Sequence, residues 1–336
     1  MKVSVVVPVY NEEANLDEFF RRALAVLDAL PGPYELLVVD DGSRDRSIEI
    51  LKAWAARRPD VVRVLELSRN FGQHPAILAG FRDVTGDVVV TLDADLQNPP
   101  EEIPKLLGKI AEGYDVVGGV RVFRQDSRAR RFASALVNRV TVAITRMRLT
   151  DFGCMLRAYS REIVDEINQS EEAATFIPAL GQSFARNPTE IDVAHAPRTG
   201  GESAYSLYRL IRLNFDLMTG FSTVPLQLFG IVGMLVALGG IAFGLFLFLR
   251  RLIVGAEVQG VFTLFAILFT LLGVAMAGLG IVGEYVGRIY EQVRRRPRFS
   301  VRRAYGLRAE KGPDAGGFSA VPSRESASTS PSGARR

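Results

Sequence analysis

Val88-Val89-Val90-Thr91-Leu92-Asp93-Ala94-Asp95-Leu96-Gln97 is the stretch on which the reading turns. Its first half is an unbroken apolar, β-branched run, the pattern of a strand buried on both faces. The run stops at two carboxylates spaced two apart. Such a pair, exposed where a hydrophobic strand ends, can hold a hard divalent cation, Mg2+ or Mn2+, against a diphosphate. On an arbitrary loop the same spacing is common and is an ordinary turn; its position at a strand end is what favours the metal reading.

The flanking sequence repeats the alternation. Val3–Val7 reads as a strand, and Asn11 is placed to cap a helix from about Glu12 to Leu30, ended by Pro31-Gly32-Pro33. Leu36–Val39 is a second strand, stopping at Asp40-Asp41-Gly42-Ser43. Asp45 opens a helix through Ala56, Val61–Leu67 is a third strand, and His74–Asp83 is a helix leading into the fourth strand. Strands alternating with helices predict an α/β, doubly wound, mostly parallel sheet, with ligands at the carboxyl ends of its strands. Those ends hold Pro8–Glu12, Asp40–Ser43, Ser68–His74 and Asp93–Gln97.

Beyond the first two-thirds of the 336 residues the chain changes character. Leu226 to Leu249 carries no charge, and neither does the stretch from 260 to 283. Each exceeds the roughly 20 residues needed to cross a hydrocarbon core; a pair of buried core helices is the weaker reading. Ser206–Met218 has apolar residues at helical spacing with Arg209 and Arg212 opposite, as expected of an interfacial helix. The expected organisation is therefore a catalytic domain over 1–205, an interfacial helix over 206–225, spans over 226–249 and 260–283, a basic juxtamembrane helix over 284–303, and a disordered tail over 304–336. Arg288, Arg294, Arg295, Arg296, Arg298, Arg302 and Arg303 crowd the segment after the second span, while the loop between spans has only Arg250 and Arg251. With no export signal before Val3, this predicts cytoplasmic termini and a multi-pass inner-membrane location. The single cysteine, Cys154, suits a reducing compartment. Gly240-x-x-x-Gly244 and Gly283-x-x-x-Gly287 permit close helix packing within a chain or in a homo-oligomer.

Taken together, Val7-Pro8-Val9-Tyr10-Asn11-Glu12, Val39-Asp40-Asp41-Gly42-Ser43 and Thr91-Leu92-Asp93-Ala94-Asp95-Leu96-Gln97 resemble the family 2 glycosyltransferases of the GT-A fold. Asp93 to Glu101 looks like the polyprenyl-phosphate sugar transferases, including the dolichol-phosphate mannose synthases. Asn70-Phe71-Gly72-Gln73-His74, Asp151-Phe152-Gly153-Cys154-Met155-Leu156-Arg157-Ala158-Tyr159 and the segment from Gly283 to Tyr290 are similar to the undecaprenyl-phosphate transferases of 4-deoxy-4-formamido-L-arabinose. The likeness runs over roughly residues 1 to 303.

The resemblance implies a nucleotide-sugar donor, UDP-linked by preference, a polyprenyl phosphate acceptor at a lipid membrane, and no nucleic-acid partner. By the same resemblance Pro8, Tyr10 and Glu12 line the nucleotide, with Tyr10 against the base, and Asp41, or else Asp40, recognises base or ribose. Asp93 and Ala94 lie along the donor, Asp95 is the metal ligand, and Gln97 sits near the donor sugar and diphosphate. Arg121 and Arg130 hold the acceptor phosphate with Ser134 beside them, and Arg198 closes over the donor diphosphate. Ala204 departs from the lysine usual in that loop. A processive polysaccharide synthase would need Gln-x-x-Arg-Trp, and the only tryptophan is Trp54. A polyprenyl-phosphate glucose or mannose synthase and a non-catalytic scaffold or nucleotide-sugar sensor remain as alternatives. His74 and His195, the only histidines, read as structural hydrogen-bonders before catalytic bases.

Overall fold

A computed structural model describes residues 1–121, 151, 153–170, 176–195, 219, 223–254, 261–294 and 297–306. Most of the expected interfacial helix over 206–225, together with Arg130, Ser134, Arg198 and Ala204, lies outside the described residues.

In chain order the elements are β1 (Val3–Val9), α1 (Leu16–Asp28), β2 (Tyr34–Asp40), α2 (Ser47–Arg57), β3 (Val62–Leu67), α3 (Gln73–Asp83), β4 (Val88–Thr91), α4 (Ile103–Ala111), β5 (Val116–Arg121), β6 (Arg157–Ser160), α5 (Arg161–Gln169), α6 (Ile177–Phe184), β7 (Pro188–Val193), α7 (Val224–Val254), α8 (Val261–Val293) and β8 (Val301–Tyr305). One eight-stranded sheet runs β7-β5-β6-β4-β1-β2-β3-β8. Its centre, β4-β1-β2-β3, is parallel; β6 is antiparallel to both β4 and β5, and β8 is antiparallel to β3. The sheet is thus a mixed one of the GT-A kind.

Alternation along the strands builds two cores. Val3, Val5, Val7 and Val9 face one way, onto Phe19, Phe20, Leu51 and Leu106 of α1, α2 and α4. Val6, Leu37 and Val39 face the other, onto Ile77, Ile163 and Leu180 of α3, α5 and α6. Because both faces are covered, every residue of β1 through Val7 is buried, which explains the unbroken apolar run.

Several boundaries depart from expectation. Helix α1 starts at Leu16, not Glu12, because Asn11 takes a left-handed backbone (φ 55°) and its side-chain oxygen accepts from the Arg44 amide at 2.8 Å. The apolar helices extend past the charge-free stretches. α8 runs through Glu284 and Arg288, which pair at 2.8 Å one turn apart, and stops at Val293. The expected basic helix over 284–303 therefore ends early, and Val301–Tyr305 is a strand on the catalytic sheet, with Ala304 and Tyr305 part of it rather than of a tail. Val301 and Tyr305, β-branched and aromatic, suit an edge strand, but the arginines between them hid it.

Both long helices are apolar enough to cross a membrane, over Leu226–Phe246 and Thr270–Tyr290, and most of their large side chains point outward. Their mutual close approach is at Gly278, which lies under the Phe229 ring; a methyl added at Gly240, Gly244, Gly283 or Gly287 would meet nothing within 4 Å.

Candidate active site

The carboxyl ends of β1, β2, β3 and β4 meet in a polar floor, stitched by side-chain to backbone hydrogen bonds. Asn11 N–H donates to Ser43 Oγ (3.0 Å), Glu12 N–H to Ser47 Oγ (2.9 Å) and Glu13 N–H to Asp45 Oδ2 (3.1 Å), so the loops after β1 and β2 hold each other. Asp45 also accepts from the Ser47 amide at 3.0 Å, but α2 begins two residues later than expected, at Ser47, with Arg46 at its N-cap position. Tyr10 is 40% exposed above this floor, available to stack on a flat ring, with Pro8 and Glu12 partly buried beside it.

Asp40 and Asp41 are both only 2% exposed. Asp41 spends one oxygen on the Phe71 amide (2.7 Å) and the other on the Gly72 amide (2.8 Å), tying the loop after β2 to the loop after β3. Burial raises its carboxyl above the usual range, and those two amides oppose the shift. Asp40 is raised for the same reason, with Ser43 opposing. Gly42, at φ +69°, lets the two loops touch: a Cβ there would lie 2.7 Å from Asn70 N.

At the end of β4, Asp93 Oδ1 accepts from Gln73 Nε2 at 2.6 Å, and Asp95 Oδ1 accepts from the Gln97 amide at 3.1 Å. Leu96 between them sits at φ 61°, a left-handed conformation that costs a leucine about 1 kcal/mol or more. The turn made there brings the Gln97 amide back to the Asp95 carboxylate. Burial, then the neighbouring Asp95 charge, push Asp93 up to about 7. Carboxylates crowded in this way call for a cation. Among the described residues no three His, Cys, Asp or Glu side chains gather into a closed metal cage. An open two-carboxylate set fits a hard cation whose remaining ligands come from a diphosphate.

Across the sheet, Arg121 ends β5 and is gripped by Asp151 through Nε (2.6 Å) and Nη2 (2.7 Å). Arg121 also feels the Asp93 charge, which places the two in one electrostatic neighbourhood.

The two histidines part company. His74 is partly buried, edge-on against Phe176 at 4.8 Å with its Nδ1 out of water, and that burial drops it to about 4, so it is neutral and packed. His195, just past β7, is partly buried, hydrogen-bonded to the Gln97 backbone, and lies within the fields of Arg121, Asp95 and Asp151. Its Nδ1 is buried without a partner among the described residues. Local spacing gave no sign of His195, because only the β5–β7 pairing brings it to the end of β4. Cys154 is buried, and burial lifts its thiol to about 11, so it is packed rather than reactive.

The model of the glycosyl transferase family 2 matches residues 4–167. An undecaprenyl-phosphate 4-deoxy-4-formamido-L-arabinose transferase of Shewanella sediminis is 53% identical over 312 residues, covering 92% of this chain and 94% of that protein. One of the same name from Pseudomonas aeruginosa is 54% identical over 303 residues, covering 90% of this chain and 89% of that protein. Among solved structures, a Mycobacterium tuberculosis glucosyl-3-phosphoglycerate synthase in complex with Mn2+, UDP-glucose and phosphoglyceric acid aligns over 65% of this chain and 78% of its own, at 20% identity and a TM-score of 0.48.

Proposed function

Since the chain belongs to glycosyl transferase family 2, we propose that it moves 4-deoxy-4-formamido-L-arabinose from a UDP-linked donor to undecaprenyl phosphate, inverting the anomeric carbon. The observation that carries this reading is the Asp93–Asp95 pair just past the end of β4, with Arg121 near enough to act on the Asp93 charge, in a chain that matches transferases of that name over nearly its whole length. On this reading Tyr10, Asp40 and Asp41 form the nucleoside end, with Pro8 and Glu12 beside them. Asp93, Ala94 and Gln97 lie along the sugar and diphosphate, and Asp95 holds Mg2+ or Mn2+. A bound cation would neutralise the departing nucleoside diphosphate.

The acceptor needs little activation. A phosphate monoester has a second pKa near about 6, so its oxygen is already an anionic nucleophile at neutral pH. The protein's task is to align that oxygen and offset its charge. Arg121 is the described residue suited to this; Arg130 and Ser134 are expected to join it, with Arg198 over the donor. His74, neutral and packed, is not needed as a base.

Membrane attachment follows from α7 and α8, and the pairing of β8 with β3 supports a single sidedness. The segment leaving α8 re-enters the catalytic sheet, so the end of the second span and the active site share one face of the bilayer. That face is cytoplasmic on the arginine distribution.

The test is a donor screen with purified full-length protein, undecaprenyl phosphate and labelled nucleotide sugars. The expected result is preference for the UDP-linked 4-formamido sugar by about 100-fold or more, the discrimination a site built to hydrogen-bond a polar group can reach. Equal turnover of UDP-glucose or GDP-mannose overturns the sugar. Absence of turnover with any donor returns the scaffold reading.

A further inference from the structure

The segment Asp151 to Arg157 is similar to the family's sequences, yet the chemistry above gives it no task. Its geometry does. Asp151 is 5% exposed at the side chain and Arg121 17%, so their two-point ion pair is shielded from solvent. Asp151 is itself held: Oδ1 accepts from the Gly153 amide at 3.0 Å, and its backbone carbonyl accepts from Arg157 Nη2 at 2.6 Å. Arg157 Nε donates to the Cys154 carbonyl at 2.9 Å, and the whole Arg157 side chain is fully buried. Each arginine lies across a glycine. A Cβ at Gly153 would stand 2.6 Å from Arg121 Nη2, and one at Gly118 would stand 2.8 Å from Arg157 Nη1. Any other residue at either place would push an arginine off its seat.

This frame is tied to the donor side. Arg157 pairs in register with Thr91, two residues before Asp93, and Thr91 Oγ1 donates to the Met155 carbonyl at 2.6 Å. Strand β6 therefore stands between the strand that carries the carboxylate pair and the strand that carries Arg121.

We propose that Asp151, held by Arg157 and given room by Gly118 and Gly153, is the positioning residue that fixes the direction of Arg121 toward the acceptor phosphate and its distance from the Asp93–Asp95 end. The proposal rests on the reading that Arg121 meets that phosphate. The grip on Nε and Nη2 fixes the guanidinium plane and leaves the Nη1 edge turned away from Asp151, where a phosphate oxygen can accept from it. A free arginine would lose side-chain entropy when it bound; a clamped one has lost it on folding, so acceptor binding is tighter and the attacking oxygen better aligned.

The test is steady-state kinetics on the full-length protein in neutral detergent, with acceptor and donor KM measured separately and thermal midpoints recorded. Arg121→Ala raises acceptor KM about tenfold or more, as loss of a charge-assisted bond to phosphate requires. Asp151→Asn raises it roughly fivefold and leaves donor KM within about twofold. Asp151→Asn added to Arg121→Ala changes acceptor KM no further, because a positioning residue has nothing left to position. Gly153→Ala, whose Cβ would crowd Arg121 Nη2 at 2.6 Å while meeting Asp151 Oδ1 only at an ordinary contact distance of 3.5 Å, reproduces the acceptor-only signature and serves if Asp151→Asn does not fold. The proposal is overturned if the Asp151 and Arg121 effects multiply, if donor KM rises in step with acceptor KM, or if Arg121→Ala acts on the acceptor while Asp151→Asn and Gly153→Ala do not. An unchanged acceptor KM in Arg121→Ala itself overturns the acceptor reading, and the clamp with it.

Discussion

The parallel centre of the sheet and its antiparallel flank solve the same problem by different means. In the centre, β4-β1-β2-β3, most acidic residues at the strand ends are satisfied by backbone amides, Asp41 by Phe71 and Gly72, Asp40 by Ser43 and Asp95 by Gln97, with Asp93 on the Gln73 side chain the exception. In the flank, β7-β5-β6, order comes from long side chains laid into space left by glycines, with Arg121 across Gly153 and Arg157 across Gly118. Polar atoms there go unmatched among the described residues, Arg157 Nη1, Asp115 Oδ1 and Ser160 Oγ among them. A backbone-built floor is hard to change without changing the fold. A side-chain frame can be retuned by single substitutions.

The largest expected effect tests whether the centre carries the chemistry. Asp95→Ala should lower kcat by about a thousandfold or more, since leaving-group stabilisation by a cation contributes several kcal/mol and about 1.4 kcal/mol is a decade of rate. Mn2+ affinity, followed by calorimetry in the presence of UDP, should fall with it while the thermal midpoint holds. Retained turnover at saturating Mn2+ would move the reaction's charge stabilisation out of the centre and into the flank.

A smaller effect concerns His74, at the start of α3. Its folded value of about 4 lies below its ordinary 6.5, so the unfolded chain binds the extra proton first as pH falls. The stability from keeping it neutral is complete above about 6.5 and is lost progressively on acidification toward 4. Between pH 7 and pH 5 that loss is about 2 kcal/mol from this one group. Thermal unfolding of wild type and His74→Gln at both pH values checks it: the variant should be less pH-sensitive by that amount. Equal pH sensitivity of the two proteins would mean that His74 is hydrated and that the core behind α3 is open.

The centre was legible in sequence because its strands are local and apolar and end abruptly in polar residues. Val3–Val7, Leu36–Val39, Val61–Leu67 and Val88–Leu92 each fall within two or three residues of an observed strand. The flank was not legible, for physical reasons. β6 has four residues, Arg157-Ala158-Tyr159-Ser160, and begins with a fully buried arginine that no hydropathy pattern assigns to a core. β5 ends in Arg121, whose partner Asp151 lies thirty positions away, so their pairing has no local signature. His195 reaches Gln97 only through the sheet order. Strand β8 was hidden by composition, because Arg302 and Arg303 make the start of an edge strand look like the end of a basic juxtamembrane helix.

That edge strand provides the finest test of the comparison, since it adds a side-chain contact to the backbone-built half. Tyr305 Oη donates to Glu66 Oε2 at 2.7 Å, and Arg302 Nη1 donates to Glu66 Oε1 at 3.0 Å. The two bonds look alike but differ in surroundings: Glu66 is 11% exposed at its side chain, and Arg302 is 62% exposed. An exposed ion-pair partner contributes little, typically below about 1 kcal/mol, because water and salt compete for it. A hydroxyl bonded to a largely buried carboxylate contributes more, about 1–1.5 kcal/mol. Tyr305→Phe should therefore lower the thermal midpoint by about 2–4 °C, and Arg302→Ala by less than half of that. Both should leave donor and acceptor KM within about twofold, because the Asp41 bonds to Phe71 and Gly72 hold the floor without help from the edge. Equal losses from the two variants would show that burial does not set the strength of these bonds. A rise in donor KM in Tyr305→Phe, with acceptor KM unchanged, would show that β8 braces the nucleotide floor through β3, and that the backbone-built half depends on a side chain after all.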